Sequence, residues 1–122
     1  MTLETLPAEL TVCKLRDLSA LPTDTELCFF ARTDEELSLV CPTADVPADA
    51  LERSDGWRAF RVRGTLDFSL VGILARLSGA LAEAGIGLFA VSTFNTDYIL
   101  VRSGDLPRAL AVLARAGYDI AR

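Results

Sequence analysis

With 122 residues, half of them hydrophobic, the chain holds enough apolar material for one compact domain or for two small sub-domains sharing a core. Its 12 basic residues against 17 acidic ones, with no histidine, give a net charge of −5, which argues against a nucleic-acid surface because that needs concentrated positive charge. Apolar runs are too short to span a bilayer, and Met1–Leu10, with Glu4 and Glu9, lacks the basic start and apolar centre of a secretory signal, so the expected address is the cytoplasm, with no membrane partner.

In chain order, Glu9–Leu15 reads as a first strand. Ser19–Glu26, with Pro22 inside it, is too short for a full helix. Leu27–Ala31 and Glu36–Cys41 read as the two strands of a hairpin, and Ala48–Arg53, entered through Pro47, as at most a short helix. Cys13, Cys28 and Cys41 each sit in one of these apolar runs. Their odd number, and the lack of any C-x-x-C pair, make them reduced core thiols rather than a disulfide frame or a metal site. Asp45, Asp49, Glu52 and Asp55 lie around a connector and read as solvated surface, and Asp55-Gly56 reads as a turn near the joint between two halves.

The second half is more regular. Trp57–Arg63 is a strand with Phe60 and Val62 turned inward; Arg58, Arg61 and Arg63 read as its solvated face. Gly64–Ser69 is a turn. Ile73, Leu74, Leu77 and Leu81 recur at helical spacing within Leu70–Ala84, and Gly85 stands where that helix stops. Ile86–Thr93 and Asp97–Arg102 form a second hairpin. Asp105 caps a second helix with Pro107 in its first turn and an apolar stripe of Leu106, Ala109, Leu110 and Leu113; Gly117 ends it, and Tyr118–Ala121 is a last strand. Strand, helix, strand, strand, helix, strand is the ferredoxin-like order, with four antiparallel strands and both helices on one face. Shifted by 60 positions, Phe29 falls on Phe89, Thr33 on Thr93, Leu39 on Ile99 and Val40 on Leu100, so the first half reads as a worn copy of the second.

Enzyme signatures are missing: there is no histidine base, no phosphate loop and no nucleophile elbow, and Gly85-Ile86-Gly87 leads into a strand, the wrong context for a dinucleotide fingerprint. No catalytic residue, metal ligand or cofactor is therefore assigned. Two stretches invite a ligand. Asp67-Phe68-Ser69-Leu70-Val71-Gly72-Ile73-Leu74 leads into a helix whose first N–H groups suit a carboxylate, with Gly72 allowing close approach. Ser92-Thr93-Phe94-Asn95-Thr96-Asp97-Tyr98 offers short polar groups and one carboxylate, which suits an ammonium. Each also has a purely structural reading: Ser69 as a helix cap with Gly72 relieving a tight contact, and the second stretch as an ordinary hairpin turn.

The run Gly56–Val62, then Asp67–Leu74, then Leu88–Val101 closely resembles the small bacterial ACT-domain proteins, which are related to the tandem ACT modules of eukaryotic amino-acid sensors. The resemblance is strong from Trp57 to Leu113 and continues more weakly toward the N-terminus. It implies an α+β, ferredoxin-like (βαββαβ) ACT fold, here a truncated repeat over residues 1–56 fused to a complete one over 57–122. It implies a regulatory sensor without catalysis, holding a free amino acid or similar small zwitterion, and a homodimer. Ser69, Val71, Gly72, Ile73 and Leu74 would hold the ligand's carboxylate, and Thr93, Asn95, Thr96 and Asp97 its amino group or a polar side chain. The alternative is an interaction module whose sheet serves dimerisation and whose pocket is vestigial.

Overall fold

A computed structural model describes residues 1–64 and 72–121. Its strands are β1 (Thr2–Thr5), β2 (Leu10–Lys14), β3 (Phe29–Arg32), β4 (Leu37–Pro42), β5 (Glu52–Val62), β6 (Phe89–Ser92), β7 (Asp97–Arg102) and β8 (Asp119–Ala121). Its α-helices are α1 (Ile73–Glu83) and α2 (Leu106–Arg115). The chain divides into two compact units, Ala8–Trp57 and a second made of Met1–Pro7 with Arg58–Arg122.

The unit Ala8–Trp57 is a small antiparallel sheet in the order β3, β4, β2 and the first part of β5. One face buries Cys13, Leu15, Leu39 and Cys41 beneath Leu21, Cys28, Leu37, Val46 and Ala50. Short 3-10 turns, Leu18–Ala20 and Thr43–Asp45, stand where longer helices would have covered this face. Ala48 and Asp49 form a turn and Leu51 a bend rather than a helix, and Glu52 already belongs to β5.

Strand β5 starts well before Trp57 because Asp55-Gly56 is a bulge, not a chain reversal. Leu10 pairs with Trp57 and Val12 with Ser54, so two residues oppose Thr11 alone. Gly56 takes φ +84°, the left-handed conformation that this kind of bulge requires. The bulge is tied down by Thr11, which is fully buried; its Oγ1 donates to Asp55 Oδ1 at 2.7 Å and lies 2.9 Å from Thr43 Oγ1. Arg53 donates to the same carboxylate through Nε and Nη2.

The larger unit corrects the expected four-stranded sheet. Its order is β6, β7, the end of β5, β1 and β8. The N-terminal strand lies between β5 and β8, antiparallel to the first and parallel to the second, with Leu3 opposite both Val62 and Ile120. Met1–Pro7 therefore belongs with the C-terminal sheet, for a physical reason. Leu3 is fully buried, and placing β1 here satisfies backbone groups on both sides of it.

Both helices cover one face of this sheet. Ile73, Leu77 and Leu81 of α1 and Leu106, Ala109 and Leu113 of α2 pack with Leu3, Phe60, Val62, Ile99 and Val101. Each helix ends in a Schellman motif. After α1, Gly85 (φ +74°) donates to the Ala82 carbonyl and Ile86 to that of Leu81; after α2, Gly117 (φ +106°) and Tyr118 do the same to Ala114 and Leu113. Asp105 stands at the N-cap of α2 but makes no side-chain cap bond; it faces Arg108 at 3.6 Å instead.

The two hairpins share one register at a spacing of 60 residues. Phe29 pairs with Val40 and Phe89 with Leu100. Thr33 N–H donates to the Glu36 carbonyl at 3.0 Å and Thr93 N–H to that of Thr96 at 2.8 Å. A 3-10 turn follows each hairpin, at Thr43–Asp45 and Ser103–Asp105.

Candidate functional site

Helix α1 begins behind Gly72, which takes φ +80° and leaves the helix without a side-chain cap. The first N–H groups of such a helix have no intrahelical acceptor and carry the positive end of its dipole. Ile73 is buried and Leu74 packs against the core, so these two can offer a ligand their backbone groups but not their side chains. Ser69 and Val71 lie outside the described residues. A Cβ added at Gly72 would stand 3.2 Å from Arg76 Nη1, which shows that the guanidinium folds back over the helix start. A cation in a first turn opposes the dipole, and an anion placed there would be attracted by both. In the sequence, the only sign of this role for Arg76 is its position one turn beyond Gly72.

The β6–β7 turn carries the other group of expected site residues. Thr93 Oγ1 is within hydrogen-bond distance of the Thr96 carbonyl (3.1 Å) and the Thr96 N–H (3.4 Å), so it organises the turn. Thr96 is buried, and its hydroxyl donates to the Val62 carbonyl at 2.8 Å. That bond pins the turn to the end of β5. Asn95 is exposed at the tip, beside Phe94, which is 79% exposed. Asp97 is half-buried; Ser92 Oγ donates to its Oδ1 at 2.6 Å. Its position alternates in phase with Ile99 and Val101, so it lies on the face of the sheet that carries the helices. Of the turn residues, then, Asp97 and Asn95 have capacity to spare, while the hydroxyls of Thr93 and Thr96 hold the turn in place.

Of Arg58, Arg61 and Arg63, the last two belong to a network on the opposite face. Arg61 Nε donates to Glu4 Oε1 at 3.2 Å, and its Nη1 lies 3.2 Å from the Tyr98 hydroxyl; Arg63 stands 3.7 Å from Glu4. Arg58 shares the phase of Phe60 and Val62 instead and faces the helices, so the three do not form a single solvated face.

The cysteines have no reactive character. Burial pushes all three thiols up, that of Cys41 to about 12. The thiolate is the nucleophile, so these thiols are inert at neutral pH. A raised thiol pKa stabilises the fold in full below the unfolded value, about 8.5, and this contribution is lost as pH rises toward the folded value. Alkaline unfolding should therefore become steeper above about pH 8.5, and Cys41→Val should flatten that limb in denaturant titrations. Among the described residues, no group of three His, Cys, Asp or Glu side chains could hold a metal ion. No helix among them is long and apolar enough to cross a membrane.

Comparison with known proteins gives this geometry a family. A model of the ACT domain matches residues 52–115. Over 73 residues the chain is 38% identical to the human "Cytosolic arginine sensor for mTORC1 subunit 1", which covers 57% of this chain and 22% of the sensor; the Bos taurus protein matches equally. The chain thus spans about a fifth of the length of these curated relatives. The crystal structure of protein Atu0741 from Agrobacterium tumefaciens superposes with a TM-score of 0.87 at 33% identity, over 98% of this chain and 91% of that one. The ligand-free regulatory subunit of aspartate kinase from Thermus thermophilus shares the fold, with a TM-score of 0.64 at 9% identity over 94% and 96% of the two chains. With the family's model matched over more than half of its residues, and with its mixed helix-and-strand architecture, this chain belongs to the ACT domain family.

Proposed function

We propose that this chain is a non-catalytic regulatory module that binds a free amino acid at the start of α1 and the β6–β7 turn. The ligand's carboxylate is held by the backbone of the Ser69–Leu74 segment, chiefly at Gly72, Ile73 and Leu74, with Arg76 as an added cation. Its ammonium is held by Asp97, with Asn95 beside it and Thr93 and Thr96 keeping the turn in shape. The observation that carries this reading is the bond from Thr96 Oγ1 to the Val62 carbonyl, because it fixes the Asp97 turn at the end of the strand that leads toward α1. The relatives named as cytosolic arginine sensors support an amino acid as the ligand, arginine first, and a cytoplasmic site of action.

The chain is read as two ACT repeats, a truncated one over 1–56 and a complete one over 57–122 that borrows β1. The matching hairpin registers at a spacing of 60 support this division. It is read further as a homodimer, since among the described residues β6 pairs only with β7, and a two-fold axis satisfies such an edge in both copies at once. Binding would shift the regulatory state only by its difference in affinity for the two arrangements.

A thermal-shift and calorimetry screen of the twenty amino acids tests the proposal. Arginine should raise the unfolding midpoint progressively once its concentration exceeds the dissociation constant. If no amino acid moves the midpoint, the second reading stands, that of an interaction module with a vestigial pocket. The exposed Phe94 at the turn tip favours that reading.

A further inference from the structure

A second cleft lies away from the α1 start, on the helix face of the larger unit. Its volume is about 900 Å³, within the range of small-molecule sites, roughly 300–1,000 Å³. One wall is the outer edge of α2, where Leu106, Leu110 and Ala111 stand; Ile120 of β8 closes another side, and Thr5 and Arg58 form the floor. The strand period explains this composition. Thr5 shares the phase of the buried Leu3, and Arg58 that of Phe60, so a hydroxyl and a guanidinium occupy the next inward positions where the core runs out.

Those two side chains are unusual in the structure. Arg58 Nη2 donates to the Leu6 carbonyl at 3.1 Å, but Arg58 Nε is buried without a partner, and so is Thr5 Oγ1. Arginine cannot relieve this by losing its proton, and a buried donor without an acceptor carries the full cost of its desolvation. An arriving carboxylate would supply the missing acceptor in the paired geometry that a guanidinium favours. Among the described residues that line the cleft, Arg58 is the only charged one and none is acidic, so an amino acid's ammonium would find no counter-ion among them.

We infer that this cleft is a binding site for a small amphipathic monocarboxylate, its carboxylate on Arg58 and Thr5 and its apolar body along Leu106, Leu110 and Ala111 of α2. The site is separate from the proposed amino-acid site and does not depend on it.

Octanoate is the probe, with octan-1-ol and inorganic phosphate as controls for its two halves, read by calorimetry and by the amide resonances of Leu110 and Ala111. Octanoate should shift those resonances saturably, and each control should bind at least about tenfold more weakly. Arg58→Met should weaken octanoate by at least about tenfold, and Arg58→Lys should restore part of the loss, since a point charge lacks the fork. Ala111→Phe, at an exposed helix position, should fill the cleft and abolish binding; it keeps the test readable if Arg58→Met fails to fold. The inference is overturned if octanoate shifts nothing, if octanol or phosphate binds as tightly as octanoate, or if Ala111→Phe leaves its affinity unchanged. It is equally overturned if the Leu110 and Ala111 resonances respond to protein concentration alone, which would make a second copy of the chain the occupant.

Discussion

Phe60→Ala should destabilise the protein by about 3–5 kcal/mol, the largest loss expected of a single truncation among the described residues. Phe60 is fully inaccessible and has the greatest volume among the fully buried side chains of the described residues. It stands on β5 in the cluster that joins β1, β7 and both helices, so its removal opens a cavity that several elements would have to move together to close. A domain of this size is stable by about 5–15 kcal/mol, so the loss takes much of the margin. Urea or guanidinium titration checks it: the midpoint should fall strongly with the slope unchanged. Phe60→Leu, which keeps most of the packing, should lose much less. Equal losses for the two variants would mean that Phe60 acts through its ring geometry rather than through the space it fills.

The same residue shows what could be read in the sequence. Phe60 and Val62 alternate with Ala59, Arg61 and Arg63 in a window long enough for the strand period to show, and they are buried as expected. The helices were legible for a similar reason: the four-residue spacing of Ile73, Leu77 and Leu81, followed by Gly85, leaves little choice. Strand β1 was not legible. It is four residues long with one fully buried side chain, and the Val62 that Leu3 pairs with lies far along the chain, so no local pattern announces it. Asp55-Gly56 misleads because a tight turn and a bulge demand the same backbone from glycine, and only the pairing of Thr11 on another strand separates them.

At the candidate site the ambiguity is chemical. Threonine serves equally as a ligand group or as a lock on a backbone carbonyl, and Thr96 proves to be a lock. Arg58 stands close to Arg61 and Arg63 in sequence, yet its even position assigns it to the inward face. Arginine is seldom turned inward without a full set of partners, so composition and phase point opposite ways at this position.

Under the proposed assignment, Asp97→Ala abolishes amino-acid binding while the protein stays folded. The fold loses one exposed cross-strand bond, from Ser92 Oγ, worth about 0.5–1.5 kcal/mol. The ligand loses the counter-ion of its ammonium. A hydrogen bond to a charged group contributes about 1.5–3 kcal/mol, so affinity should fall by at least about tenfold and more where water is excluded. Asp97→Asn separates charge from shape, because the amide can keep an oxygen facing Ser92 while giving up the negative charge. If the carboxylate acts as the counter-ion, Asn should fold like the parent yet bind nearly as poorly as Ala. If Asp97 serves only to brace the turn, Asn should bind like the parent. Calorimetry with arginine on all three proteins, beside their urea midpoints, distinguishes these outcomes. Retention of parental affinity by Asp97→Ala would remove Asp97 from the site and leave the ligand's ammonium without its proposed counter-ion.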